Sequence, residues 1–152
     1  MELWNQLSDD ARQAICTARN LARSQGCYAV TPEHIALGIL ERHGCLAWQI
    51  LLEMGVNPAD LRAELTDAAV GSSDGGVATD ELEYTPAAHR CMQIASIEAR
   101  RDSASAGRPL EVTTAHLLLG LISPTSMADL RMLRTHGVFY GEVGEILRRL
   151  TA

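Results

Sequence analysis

Thr31-Pro32-Glu33-His34-Ile35-Ala36-Leu37-Gly38-Ile39-Leu40 decides how this chain reads. Thr113-Thr114-Ala115-His116-Leu117-Leu118-Leu119-Gly120-Leu121-Ile122 repeats it, with Thr, His, Leu and Gly at the same spacing and an offset of 82 from His34 to His116 and from Gly38 to Gly120. Each copy reads as the start of a helix. Thr31 and Thr113 stand where a hydroxyl accepts from the free N–H groups of a first turn, Pro32 suits the first helical position, and Glu33 complements the positive end of the dipole. The apolar residues that follow predict a buried helix in both copies.

Working outward, Ser8-Asp9-Asp10 precedes Ala11, Ile15, Ala18, Leu21 and Ala22 at helical spacing, so a capped amphipathic helix is expected from about Ser8 to Gln25, ended by Gly26. Its counterpart opens at Thr85-Pro86, with Leu7 matched by Tyr84, Ser8 by Thr85 and Ala22 by Ala99, an offset of 77. The offset grows to 82 by the motif helices, which places five extra residues in the polar stretch 101–109 and predicts a longer surface loop there. After each motif a third helix closes on a Gly-Val pair, Gly55-Val56 and Gly137-Val138, and a fourth follows. Asn57-Pro58 starts the first of these, with Leu61 and Leu65 as its buried stripe, matched by Val143 and Leu147.

Val70-Gly71-Ser72-Ser73-Asp74-Gly75-Gly76-Val77 is too rich in Gly and Ser to build helix or core and reads as a flexible linker. The expectation is an all-α protein: one domain over 1–152, made of repeat 1 (about 4–70), a linker (about 71–80) and repeat 2 (about 81–151). The two four-helix repeats, about eight helices in all, would pack as a pseudo-twofold pair.

Composition narrows the function classes. Aromatic residues make up 4% of the chain and hydrophobic residues 47%, which suits an aliphatic helical core. A net charge of −6 argues against a phosphate-backbone binder, so nucleic acid is not an expected partner. All thirteen basic residues are Arg, which excludes Schiff-base and other lysine catalysis. No stretch approaches eighteen apolar residues and no secretory leader is visible, so the expectation is a soluble, cytoplasmic protein without a membrane segment. Cys16, Cys27, Cys45 and Cys91 are widely spaced and read as reduced thiols, Cys16 and Cys91 as small core residues. No second ligand lies at metal spacing from His34 or His116, so no metal or other cofactor is expected, and both histidines read as structural, donating to a backbone carbonyl or capping a neighbouring helix.

The tandem of four-helix units, each with a Thr-x-x-His-x-x-Leu-Gly helix start and a Gly-Val turn after the third helix, resembles the Clp amino-terminal domain of Hsp100 unfoldases such as ClpA and ClpC, from about Trp4 to Leu150. The resemblance implies a non-enzymatic module that receives adaptors, substrates or peptide ligands for an AAA+ unfoldase and its protease. Neither a Gly-x-x-x-x-Gly-Lys-Ser/Thr loop nor the length of an AAA+ fold is present in these 152 residues. The chain is read as either a stand-alone or an excised domain, with the role of adaptor, substrate receptor or ligand-sequestering decoy. An accessory subunit docked on the Clp protease ring is the structural alternative, and a Cys/His hydrolase the remote enzymatic one.

The same resemblance implies two ligand sites. In ClpC-like members, the Glu before each motif His contributes to binding phosphoarginine. Glu33 matches it in repeat 1, whereas Ala115 replaces it in repeat 2 and argues against recognition there. Glu33 equally serves the dipole of its own helix. Aromatic residues near the chain start and before the second Thr-Pro accept cyclic peptide antibiotics in the family, and Trp4 and Tyr84 fall at those places. His89 and Gln93 follow Tyr84 on one helical face and would supply polar contacts to peptide or protein.

Overall fold

The computed structural model describes residues 5–26, 29–71, 83–107, 109–124, 133 and 135–151. Among these, seven helices and two short strands follow in the order α1 (Asp9–Ser24), β1 (Ala29–Val30), α2 (Pro32–Glu41), α3 (Leu46–Glu53), α4 (Pro58–Gly71), β2 (Glu83–Tyr84), α5 (Pro86–Ala106), α6 (Thr114–Ile122) and α7 (Tyr140–Thr151). The expected eighth helix, over 127–136, lies mostly outside the described residues, as do Trp4, Cys27 and positions 72–80 of the expected linker. Gly71 itself closes α4, so the helix takes in Val70 and Gly71, the first two residues of the Gly/Ser-rich stretch read as linker.

Local chemistry explains where these helices begin and end. Ser8 caps α1, its Oγ accepting from the Ala11 N–H at 3.2 Å, and Asp9 and Asp10 occupy the first turn. Gly26 leaves α1 with φ of 73°, a left-handed conformation that costs glycine little. Thr85 caps α5 through the Ala88 N–H at 3.1 Å. The five extra residues of repeat 2 do not lengthen a loop. They lengthen a helix, since α1 has 16 residues and α5 has 21. Ser103, Ala104, Ser105 and Ala106 carry small side chains that the helix tolerates, and the chain turns only at Gly107, with φ of 65°.

The motif helices α2 and α6 form the centre. Eight of the ten residues of α2 are buried, and all nine of α6. Helix α1 lies on α2 and α5 on α6, α4 and α7 cover the respective far sides, and α3 bridges to α6 and α7. The motif glycines set the closest approach. A Cβ on Gly38 would lie 2.1 Å from the Ala14 carbonyl oxygen, and one on Gly120 would lie 2.2 Å from that of Cys91. Ala14 and Cys91 are themselves related by the offset of 77.

The duplication is visible in backbone pairing between halves. Val30 pairs in parallel with Tyr84, and the equivalent residues Val112 and Leu7 form a parallel bridge. The Thr85 N–H donates to the Val30 carbonyl at 3.0 Å, and the Ser8 N–H to the Val112 carbonyl at 2.9 Å. Each repeat thus anchors the start of the other's first helix. Repeat 2 also caps α3. Cys45, at the N-cap of α3, makes no side-chain capping bond, and the buried Thr114 hydroxyl accepts from the Ala47 N–H at 3.1 Å instead.

Candidate functional site

The motif histidines hold their helices together at the first turn. The Thr31 N–H donates to Nδ1 of His34 at 3.0 Å, and the His34 N–H points back at the Thr31 hydroxyl at 3.4 Å, a capping box with imidazole in the position usually filled by Glu or Gln. Because Nδ1 accepts, the ring proton sits on Nε2, which donates to Oε1 of Gln25 at 2.8 Å. Burial lowers the pKa of His34, and the neighbouring Glu33 carboxylate partly opposes it. The ring is neutral and structural. It caps its own helix and donates to a side-chain amide, where the sequence suggested a backbone carbonyl or the cap of a neighbouring helix.

His116 repeats this geometry with one change. Its Nδ1 accepts from the Thr113 N–H at 3.0 Å, and its Nε2 lies 3.5 Å from Oδ2 of Asp102. Asp102 is the offset-77 counterpart of Gln25, so an amide in repeat 1 has become a carboxylate in repeat 2. The Glu33 position differs as well. Glu33 is half-buried in the first turn of α2, whereas its counterpart Ala115 is fully buried.

A different set of groups gathers where β2 delivers the chain to α5. Tyr84 is half-buried and meets His89 edge-on, with ring centroids 5.7 Å apart and an interplanar angle of 66°. Burial raises the pKa of the Tyr84 phenol, Arg19 opposes this and Cys16 adds to it, so both α1 residues lie within electrostatic range of Tyr84. Cys16 is exposed, contrary to its reading as a core residue, while Cys91 is buried as expected. All three described cysteines are free thiols. Along α5, the exposed His89 and Gln93 share a face with Ile97, an apolar side chain that is 42% exposed. The expected residues Tyr84, His89 and Gln93 thus lie together, and the structure adds Cys16, Arg19 and Ile97, which the sequence reading did not name, to this region. The i, i+4 step from Gln93 to Ile97 and the equivalence of Cys16 with Gln93 were the available signals. Glu33 reaches this region only through topology, three residues beyond Val30, which pairs with Tyr84. Among the described residues no group of three or more His, Cys, Asp or Glu could hold a metal ion.

The fold is all-α, built from two repeats that share a threonine–histidine capping box. The sequence model of the Clp repeat (R) N-terminal domain matches residues 6–136, and the chain belongs to this family. It is 33% identical to a ClpA-homologue ATP-binding subunit of the ATP-dependent Clp protease from Guillardia theta over 79% of its own length. It is 30% identical to the chloroplastic chaperone protein ClpC of Pisum sativum over 89%. In both cases the chain spans 14% of the relative's length. Among solved structures, the ClpV N-domain in complex with a VipB peptide superposes with a TM-score of 0.73 at 13% identity, covering 95% of this chain and 86% of that one. Domains of this family are protein-binding modules of Clp-type unfoldases.

Proposed function

We propose that this chain is a non-catalytic module that binds a peptide or protein segment along the α5 face headed by Tyr84, and so modulates or feeds a Clp-type unfoldase and its protease. The carrying observation is the stripe of Tyr84, His89, Gln93 and Ile97 beside Cys16 and Arg19. The fold does not require it. The position equivalent to Tyr84 in repeat 1 is Leu7, which is buried, and the position equivalent to Ile97 is the polar Asn20. An exposed aliphatic residue, an amphipathic ring, an amide and a guanidinium suit a segment that presents both apolar and acidic side chains. The peptide held by the related ClpV domain supports this kind of ligand. Phosphoarginine recognition is proposed for no more than the Glu33 half. The free thiols Cys16, Cys45 and Cys91 support action in a reducing compartment such as the cytoplasm.

The test is an array of overlapping peptides of about 15 residues from candidate substrates and adaptors. Peptides combining apolar and acidic positions should bind, and Tyr84→Ala and Ile97→Asp should each weaken them about tenfold or more. Binding unaffected by both substitutions would remove this face from the function.

A further inference from the structure

Repeat 2 carries a polar cleft whose charged lining is not repeated at the equivalent positions of repeat 1. Helices α5 and α7 diverge over α6 to leave a cavity of about 190 Å³, lined by Glu98, Arg101 and Asp102 from α5, Tyr140, Gly144 and Arg148 from α7, and an apolar floor that includes Leu147. Offsets of 77 and 82 give the equivalent residues in repeat 1: Leu21, Ser24 and the C-cap residue Gln25 at the end of α1, and Pro58, Arg62 and Thr66 on α4. Repeat 1 therefore builds the same helix packing with one charge at these six positions, and repeat 2 uses four. Gly144 stands where repeat 1 has Arg62, and no atom would meet a Cβ there within 4 Å, so the floor is open. The helical extension that carries α5 to Ala106 builds one wall of the cleft.

The charges are arranged in two groups. Glu98 accepts from the Tyr140 hydroxyl and lies 3.6 Å from Arg101, and Asp102 faces His116 Nε2 at 3.5 Å. Across the cleft, Arg148 makes no ion pair among the described residues. The two carboxylates and two guanidiniums of the lining balance each other, which disfavours a simple anion or cation and favours a ligand carrying both signs. The volume suits one amino-acid residue. It exceeds the roughly 150 Å³ of a cavity that holds benzene and falls short of the ~300 Å³ of a drug-sized pocket.

We propose that this cleft binds a basic amino-acid unit with a free carboxylate, its carboxylate at Arg148, its side-chain cation at the Asp102 and Glu98 side, and its aliphatic stem over Gly144 and Leu147. Free lysine and the last residue of a peptide ending in lysine both have this chemistry. The site is separate from the Tyr84 face and stands or falls independently of it.

Nuclear magnetic resonance titration of the full chain with L-lysine tests the assignment. Saturable shifts at Gly144 and neighbouring amides are expected below about 20 mM. Lysine amide, which lacks the carboxylate, and Nε-acetyl-lysine, which lacks the cation, should bind at least about tenfold more weakly. Arg148→Gln should weaken L-lysine by a similar factor, and Gly144→Leu should abolish binding while the Tyr84 amide and the helical circular dichroism stay unchanged. If a peptide ending in lysine binds as free lysine does, the cleft reads chain ends, and if only free lysine binds, it takes the free amino acid. No saturable shift, or shifts that survive both Arg148→Gln and Gly144→Leu, overturns the proposal.

Discussion

Gly120 lies so close to the Cys91 carbonyl that a Cβ on it would sit 2.2 Å from the oxygen, and Gly38 repeats the contact with Ala14 at 2.1 Å. Neither glycine is there for its backbone angles. Each is there because two helices touch backbone to backbone. Gly38→Ala or Gly120→Ala must push α1 or α5 off its partner, at about 3 kcal/mol or more. Urea unfolding of either variant should show this loss, whereas Gly144→Ala, in open space, should cost no more than about 0.5 kcal/mol.

Thr114 binds across the repeats, accepting from the Ala47 N–H in the first turn of α3. Thr114→Val keeps the shape and leaves a buried donor without its acceptor. The expected cost is about 1 to 2 kcal/mol, and Thr114→Ser should recover most of it. Denaturant midpoints of the three proteins check this.

His34 ties stability to pH. Folding lowers its pKa below the ordinary 6.5, so the native state favours the neutral ring. That contribution is fully present above pH 6.5 and is lost as the pH falls from there toward the folded value. The slope for one proton is at most about 1.4 kcal/mol per pH unit. Unfolding free energies across this window should decline toward acid, and the decline should be shallower in His34→Gln, whose amide can still accept from the Thr31 N–H.

Glu33 and Ala115 predict an unequal pair of ligand sites. Free phosphoarginine, titrated calorimetrically, is expected to bind with a stoichiometry no higher than one and to lose that binding in Glu33→Ala. Two equivalent sites, or binding indifferent to Glu33, would contradict the asymmetry.

The duplicated motif made the helical frame legible from residues alone, because caps, prolines and glycines act locally and recur in register. Ser8, Thr31, Asn57 and Thr85 all begin helices where their chemistry says they should. The stretch 101–109 misled, since its polar residues look like loop, yet Ser and Ala tolerate a helix until Gly107 ends it. The candidate site was legible only on one side. Tyr84, His89 and Gln93 share one local helix face, but Cys16 and Arg19 come from a helix far away in sequence, and periodicity does not report which helix faces which. The partners of the motif histidines were hidden for the same reason, although the offset of 77 linking Gln25 to Asp102 would have exposed them together once either was known.

A chain that acts through protein binding in a Clp-type proteolytic system must change how fast that system degrades a substrate. The most direct measurement adds the purified chain in trans to a reconstituted Clp unfoldase and protease from the same cell and follows degradation of a tagged substrate. A rate change of about twofold or more in either direction is expected at saturating chain, reversed by Tyr84→Ala. A rate that stays the same at saturation would contradict that mode of action.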